Sequence, residues 1–211
     1  IGLFNGRGGE FDAHVEAVDR HGVRARVGAA RRPAPEPRVA VTLALAVLKG
    51  DKMDDVVRDA VMLGAARVQP MVTERAEVTR ASLLRRHRRE RWERIAVASA
   101  KQCGRATVPA ILDPIALSEL IDGLTAHPSA HPSLMLVEPQ ASAMVCPLSA
   151  LDRTPPHEAV VLIGPEGGWT PDEIDRASRV ARLVTLGGRT LRADATPIVA
   201  LAALLTIWGE F

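Results

Sequence analysis

The stretch "VVLIGPEGGWTPDEID", Val160 to Asp175, sets an apolar run against a glycine-rich loop and a helix start. Val160-Val161-Leu162-Ile163 reads as a buried strand, because an unbroken apolar run leaves no face for water. Thr170, Pro171 and Glu173 supply an N-cap, a proline at the first helical position and a capping-box acid. Open α/β sheets place ligands between such a strand and helix. Two readings stand for the loop: a binding site, or a tight turn that needs small residues and leaves Glu166 in solvent.

Two common phosphate loops do not fit. A Walker loop needs a lysine followed by serine or threonine, and none follows here. A dinucleotide fingerprint belongs in the first βα unit, whereas this loop lies near the C-terminus. Glu166 would also repel a phosphate. The loop therefore predicts a neutral or cationic ligand, with hydroxyls or an ammonium to offer to a carboxylate.

The 211 residues, 47% hydrophobic, suffice to bury a sizeable core in one or two domains. Lysine, arginine or proline interrupts every apolar run before it could span a membrane. Ile1 is not an initiator methionine and opens within a strand pattern, so further N-terminal residues are expected to precede it. Cys103 and Cys146 lack metal spacing and suggest reduced thiols in a cytoplasmic protein. His127 and His131 each precede a proline, so no helix presents them together and no metal site is expected.

The net charge of +2 is small, but its distribution is uneven. From Arg75 to Arg105 there are ten basic residues against three acidic ones, a local excess of seven. This segment holds a predicted helix over 88–102 with Trp92, Ile95, Ala96 and Ser99 on one face, stopped by Gly104. It is either a solvated arginine-rich helix or a surface that tracks phosphates, and the clustering favours phosphates. The 3% aromatic content argues against base stacking as the main binding mode.

Residues 1–28 alternate apolar and polar around a turn at Asp19-Arg20-His21-Gly22, which predicts a hairpin with Arg24 and Arg26 on one face. Residues 31–38, "RRPAPEPR", read as a stiff linker and the boundary between residues 1–36 and 37–211. Beyond it, "VAVTLALAVL" is a strand covered on both faces. Asp51 is placed to cap a helix that runs through Leu63. Strands near 66–72, 108–112, 133–138, 159–163 and 182–186 alternate with helices near 88–102, 115–122, 171–180 and 197–208, the pattern of a mostly parallel α/β sheet. The last helix is apolar on nearly every face and must be buried, against the sheet and against another subunit.

Four ordered blocks carry a family resemblance: "ALAVLKGDKMDDVVRDAVMLGAARVQPMVTERA", "RWERIAVASAKQCGR", "LIGPEGGWTPDEI" and "LGGRTLRADATPIVAL". Together they resemble the ribosomal RNA small-subunit methyltransferase E family, the 16S uridine-N3 methyltransferases of the SPOUT class. The resemblance implies a trefoil-knotted methyltransferase domain behind a small PUA-like β-barrel whose first strands are missing. It implies a homodimer with S-adenosyl-L-methionine as donor. It also implies 16S rRNA of the small ribosomal subunit as substrate, at the uridine numbered 1498. The chain departs from the family pattern L-R-x-E-T-A at Asp194-Ala195-Thr196, and from E-L-G at Met62.

By the same resemblance, the donor would lie against Leu136 and Ile163, the loop Gly164, Pro165, Glu166, Gly167 and Gly168, and the turn Leu186-Gly187. Leu191, Arg192, Ala193 and Thr196 would close the pocket. Arg192 and Asp194 are the catalytic candidates: Arg192 would stabilise charge on the uracil oxygens as N3 loses its proton. A structural ion pair of Arg192 with Asp194 or Glu166 is the competing reading, and Asp194 either orients Arg192 or caps the last helix. Neither motif holds a histidine, so no general base is evident. Arg24, Arg26, Arg75, Arg85, Arg86, Arg88, Arg89 and Arg105 are the RNA-binding candidates. A non-catalytic ribosome-assembly factor, a related enzyme for another RNA, and a nucleotide-binding α/β enzyme are the rivals.

Overall fold

A computed structural model describes residues 1–85, 87–127 and 131–211. The chain opens with β1 (Gly2–Phe4), β2 (Glu10–Asp19) and β3 (Gly22–Arg31), an antiparallel sheet in that order. Asp19 fixes the β2–β3 turn, its Oδ1 accepting the N–H groups of His21 at 2.7 Å and Gly22 at 3.1 Å. Pairing runs on to Glu10 opposite Arg31, so Arg31 belongs to the strand and the linker begins one residue later than the sequence suggests.

The C-terminal half of the linker, Glu36 to Arg38, is docked. Arg105 donates to Glu36 and also to the carbonyls of Val61 and Ala65, at 2.6 and 3.1 Å. A Cβ on Gly64 would stand 2.5 Å from Pro37 Cγ, so this close approach needs glycine, as does the φ of +99° there. Arg38 pairs with Glu210 at 2.9 Å, which clasps the linker to the C-terminal segment.

The second sheet comprises β4 (Ala40–Ala46), β5 (Arg67–Val72), β6 (Ala110–Ile111), β7 (Ile115–Ala116), β8 (Ser133–Leu136), β9 (Cys146–Pro147), β10 (Glu158–Ile163) and β11 (Arg182–Thr185). Its order is β6-β5-β4-β10-β8-β11-β9, with β7 also on β5, and every pairing is parallel. The helices are α1 (Lys52–Met62), α2 (Arg80–Arg85), α3 (Arg88–Cys103), α4 (Leu117–Ala126), α5 (Pro171–Ser178) and α6 (Thr196–Ile207), with a 3-10 turn at Leu148–Ala150. Alternation along β4 explains the layers. Val41, Leu43 and Leu45 face a core with residues of α1, α3 and α6, while Ala44 and Ala46 face residues of α4 and α5.

Local signals mostly hold. Thr170 caps α5, accepting the N–H of Glu173 at 3.2 Å and donating its own N–H to the Glu173 carboxylate at 2.9 Å. Asp51, in contrast, makes no side-chain cap bond to α1. The expected helix over 115–122 starts at Leu117, because Ile115 and Ala116 are drawn into pairing with Met71 and Val72 of β5. Asp54 of α1 accepts hydrogen bonds from Trp92 Nε1 at 3.0 Å and Arg91 Nε at 2.6 Å, joining α1 to α3 through a buried indole.

Candidate active site

β10, β8 and β11 lie side by side and parallel, so the loops after them emerge at one end of the sheet. Between these loops lies a cavity of about 510 Å³, within the ordinary range of small-ligand sites. Every donor-binding residue expected from the sequence lines it except Gly187, which sits beside it in the β11 turn. The turn is held by Thr185 Oγ1 donating to the Gly187 carbonyl at 3.1 Å, with φ +127° at the glycine.

The glycine-rich loop is braced from two sides. Trp169 donates its indole N–H to the Leu136 carbonyl at 2.7 Å, and its ring would meet a Cβ on Gly164 at 2.9 Å. Gly164 is thus required by the tryptophan. Gly167 faces Arg75: an added Cβ would lie 3.0 Å from Arg75 Cβ and 3.2 Å from its carbonyl oxygen. Arg75 Nη1 also donates to the Gly167 carbonyl at 3.1 Å. Arg75, singled out for RNA, therefore lines this cavity.

Lys52, at the start of α1, donates to Glu166 Oε1 at 2.9 Å. Burial acts to raise the Glu166 carboxyl, but the Lys52 hydrogen bond, backbone N–H groups and the Lys52 charge together hold it below its ordinary value. Arg192 grips Asp194 through Nε–Oδ1 at 3.1 Å and Nη2–Oδ2 at 2.8 Å. That pair is the main cause holding the Asp194 carboxyl below its usual range. Asp194 does not cap α6, whose N-cap is Ala195 without a side-chain bond. Its carboxylate is bound to Arg192 instead, the ion pair that the sequence offered as the competing reading for Arg192. The Arg192 side chain is still 75% exposed and reaches solvent at the cavity.

Sequence reasoning missed Lys52, Glu138 and Arg189, all of which line the cavity. Glu138 carried a usable signal, since an acid ending a parallel strand beside a glycine loop is a common ligand contact. Among the described residues, no cluster of three His, Cys, Asp or Glu side chains could hold a metal. No helix among them is long and apolar enough to cross a membrane.

The basic segment is less free than its composition suggests. Arg105 is only 10% exposed and engaged by Glu36, which takes it out of any RNA-facing set. Arg89 pairs with Glu93 and with Asp113, Arg80 with Glu119, and Arg26 with Glu16. Arg24 and Arg88 have no ion pair among the described residues. Arg85 closes α2, and Arg86 lies outside the described residues.

A parallel sheet with this charged cavity at its carboxyl edge defines an α/β protein that takes a small ligand bearing both polar and apolar parts. The model of the RNA methyltransferase domain matches residues 35–205. The small-subunit ribosomal RNA methyltransferase E of a Synechocystis strain is 33% identical over 78% of this chain, which spans 52% of that relative's length. The crystal structure of the enzyme of that name from Neisseria gonorrhoeae, bound to S-adenosyl methionine, is 33% identical. It aligns at a TM-score of 0.88 over 100% of this chain and 84% of that one. A protein of Legionella pneumophila in complex with the bound cofactor SAM is 29% identical, at a TM-score of 0.86 over 97% of this chain and 81% of that one. The chain belongs to the RNA methyltransferase domain family, in its ribosomal RNA small-subunit methyltransferase E branch.

Proposed function

We propose that this chain transfers a methyl group from S-adenosyl-L-methionine to N3 of a uridine in 16S rRNA, the uridine numbered 1498 in the family. The observation that carries the reading is the cavity of about 510 Å³ between the two glycine-bearing loops, where carboxylates, cations and apolar walls converge. Ile163, Leu186 and Leu191 suit an adenine ring, and the carboxylates suit ribose hydroxyls and cationic groups. The likeness to two structures that hold this donor adds support.

When bound, the donor supplies an electrophilic methyl group on a sulfonium. Arg192, exposed at the cavity and aimed by Asp194, places a fixed positive charge where negative charge grows on a uracil oxygen as the N3 proton leaves. Glu166 and Asp194 are both held below the usual carboxylate range, so at neutral pH each is an anion and a poor base. No histidine is among the described residues that line the cavity. The proton therefore passes to water in this scheme.

Further parts of the reading concern assembly. The antiparallel sheet of residues 2–31, with Arg24 exposed, supports a PUA-like RNA-binding domain over residues 1–36 ahead of a methyltransferase domain over 37–211. The knotted threading is what the family implies, and α6, the last helix, packs against α1, β4 and the 3-10 turn. A homodimer is implied by the family, and it would cover Val199, the apolar side chain that α6 leaves 42% exposed. Two free cysteines suit a cytoplasmic enzyme that works on the small ribosomal subunit.

Titration calorimetry with S-adenosylhomocysteine, ATP and NAD tests the donor. Binding of S-adenosylhomocysteine alone is the expected result, and binding of ATP or NAD instead removes the proposal. Mass mapping of rRNA from cells lacking the protein then locates the target. Donor binding with no lost methyl group would leave an RNA-binding assembly factor.

A further inference from the structure

Among the described residues, the charges around the cavity do not all find partners. Three carboxylates line it, Glu138, Glu166 and Asp194, together with four cations, Lys52, Arg75, Arg189 and Arg192. Lys52 is bound to Glu166 at 2.9 Å, and Arg192 to Asp194 through two bonds. Arg75 is committed to the Gly167 carbonyl at 3.1 Å. Glu138 and Arg189 are left over. Neither side chain makes an ion pair or a hydrogen bond with a described residue.

The two leftovers sit on different loops. Glu138 follows β8, and Arg189 lies in the turn after β11. Gly168, at φ +67°, turns its bare α-carbon towards Glu138: a Cβ there would stand 3.9 Å from Glu138 Oε1. That is ordinary contact distance, so the positive φ is what calls for glycine here, and Glu138 borders the loop without being crowded by it. One free anion and one free cation on different loops of a single cavity match a ligand that carries a zwitterion. Resting on the donor assignment above, we propose that Glu138 and Arg189 seat the amino-acid end of the donor, Glu138 receiving its α-ammonium and Arg189 its α-carboxylate. The adenine and thioether then occupy the apolar walls, and the paired Lys52–Glu166 and Arg192–Asp194 bridges stay intact.

The test compares S-adenosylhomocysteine with 5′-methylthioadenosine, which keeps the adenosine and thioether but lacks the amino-acid group. Calorimetry on the wild type, Glu138→Gln and Arg189→Gln reads each affinity. Each substitution is expected to weaken S-adenosylhomocysteine roughly tenfold or more, because a charge-assisted hydrogen bond is lost. Affinity for 5′-methylthioadenosine should change by less than about threefold, which also shows that the variant is folded. Equal losses for both ligands, or no loss for either, would overturn the proposal. So would an Arg189→Gln protein that binds RNA more weakly but S-adenosylhomocysteine unchanged. A wild type that binds neither ligand would instead overturn the donor assignment, and the seating with it.

Discussion

The Arg192 guanidinium holds the Asp194 carboxylate with two hydrogen bonds, 3.1 and 2.8 Å long, while most of the arginine stays in solvent. An arginine fixed in this way keeps its charge and its direction, yet can still be reached by a base. Arg192→Ala is expected to lower the single-turnover methylation rate by about 10²–10³, with donor affinity changed only a few-fold. Asp194→Asn should lower the rate less, since the charge remains but one anchor weakens. Full activity in Arg192→Ala would assign the pair a purely structural role. The wild-type rate should also climb with pH from neutrality towards the ionisation of uracil N3. A rate already flat between about pH 6 and 7 would point to a carboxylate as proton acceptor.

Lys52→Met isolates the forces on Glu166. Burial would then act with less opposition, so the Glu166 carboxyl should titrate at higher pH than in the wild type. Its folded value is depressed in the wild type. The bridge therefore stabilises the fold above the unfolded value, and that stability is lost as pH falls through the depressed one. Carboxyl-detected NMR titration reads the shift, and an unchanged value would mean that Lys52 is not what holds Glu166 down.

Much of this site was legible because its signals are local. The Thr170-Pro171-Asp172-Glu173 cap needs only its own four residues, and it folds as read. The two-residue strand β7 was not legible, since Ile115 pairs only because Met71 is already in place beside it. Arg105 and Arg89 looked like free charge because Glu36 and Asp113 both lie outside the arginine-rich stretch. The glycines of the loop fit either a binding site or a tight turn. At Gly164 and Gly167, however, the space is taken by Trp169 and Arg75, which no spacing rule connects to them. Helix α6 gave no inward face to read, because apolar residues surround it.

Gly167→Val therefore acts through the protein. Its side chain would press on the Arg75 backbone and push the loop from its place, weakening S-adenosylhomocysteine by at least about tenfold, or about 1.4 kcal/mol. Unchanged affinity in a folded variant would show that the loop does not hold the ligand.

The face of α6 matters for assembly. Leu204 and Leu205 are wholly buried within the chain, so an aspartate there should unfold it. Val199→Lys changes an exposed position instead, and should convert a dimer to a folded monomer in light scattering at micromolar concentration. A dimer that survives this change would place the interface elsewhere.

Arg24→Ala with Arg88→Ala should flatten the salt dependence of RNA binding, by roughly 0.7–0.9 in slope for each phosphate no longer neutralised. Arg105→Ala should lower stability instead, because Glu36 and two carbonyls are deprived of their donor. An identical salt slope in the double variant would return these residues to the solvated surface.

The docked linker gives the molecule its mechanical character. Glu36 is fastened to the end of α3, Pro37 is seated on Gly64, and Arg38 is tied to Glu210 beside the last helix. The half of this tether nearer the larger sheet is therefore a weld. The smaller sheet is held to the larger by other bonds, the Val108 N–H donating to the Gly6 carbonyl at 2.9 Å and the Gly8 N–H to the Ala106 carbonyl at 3.0 Å, so the two are expected to melt together.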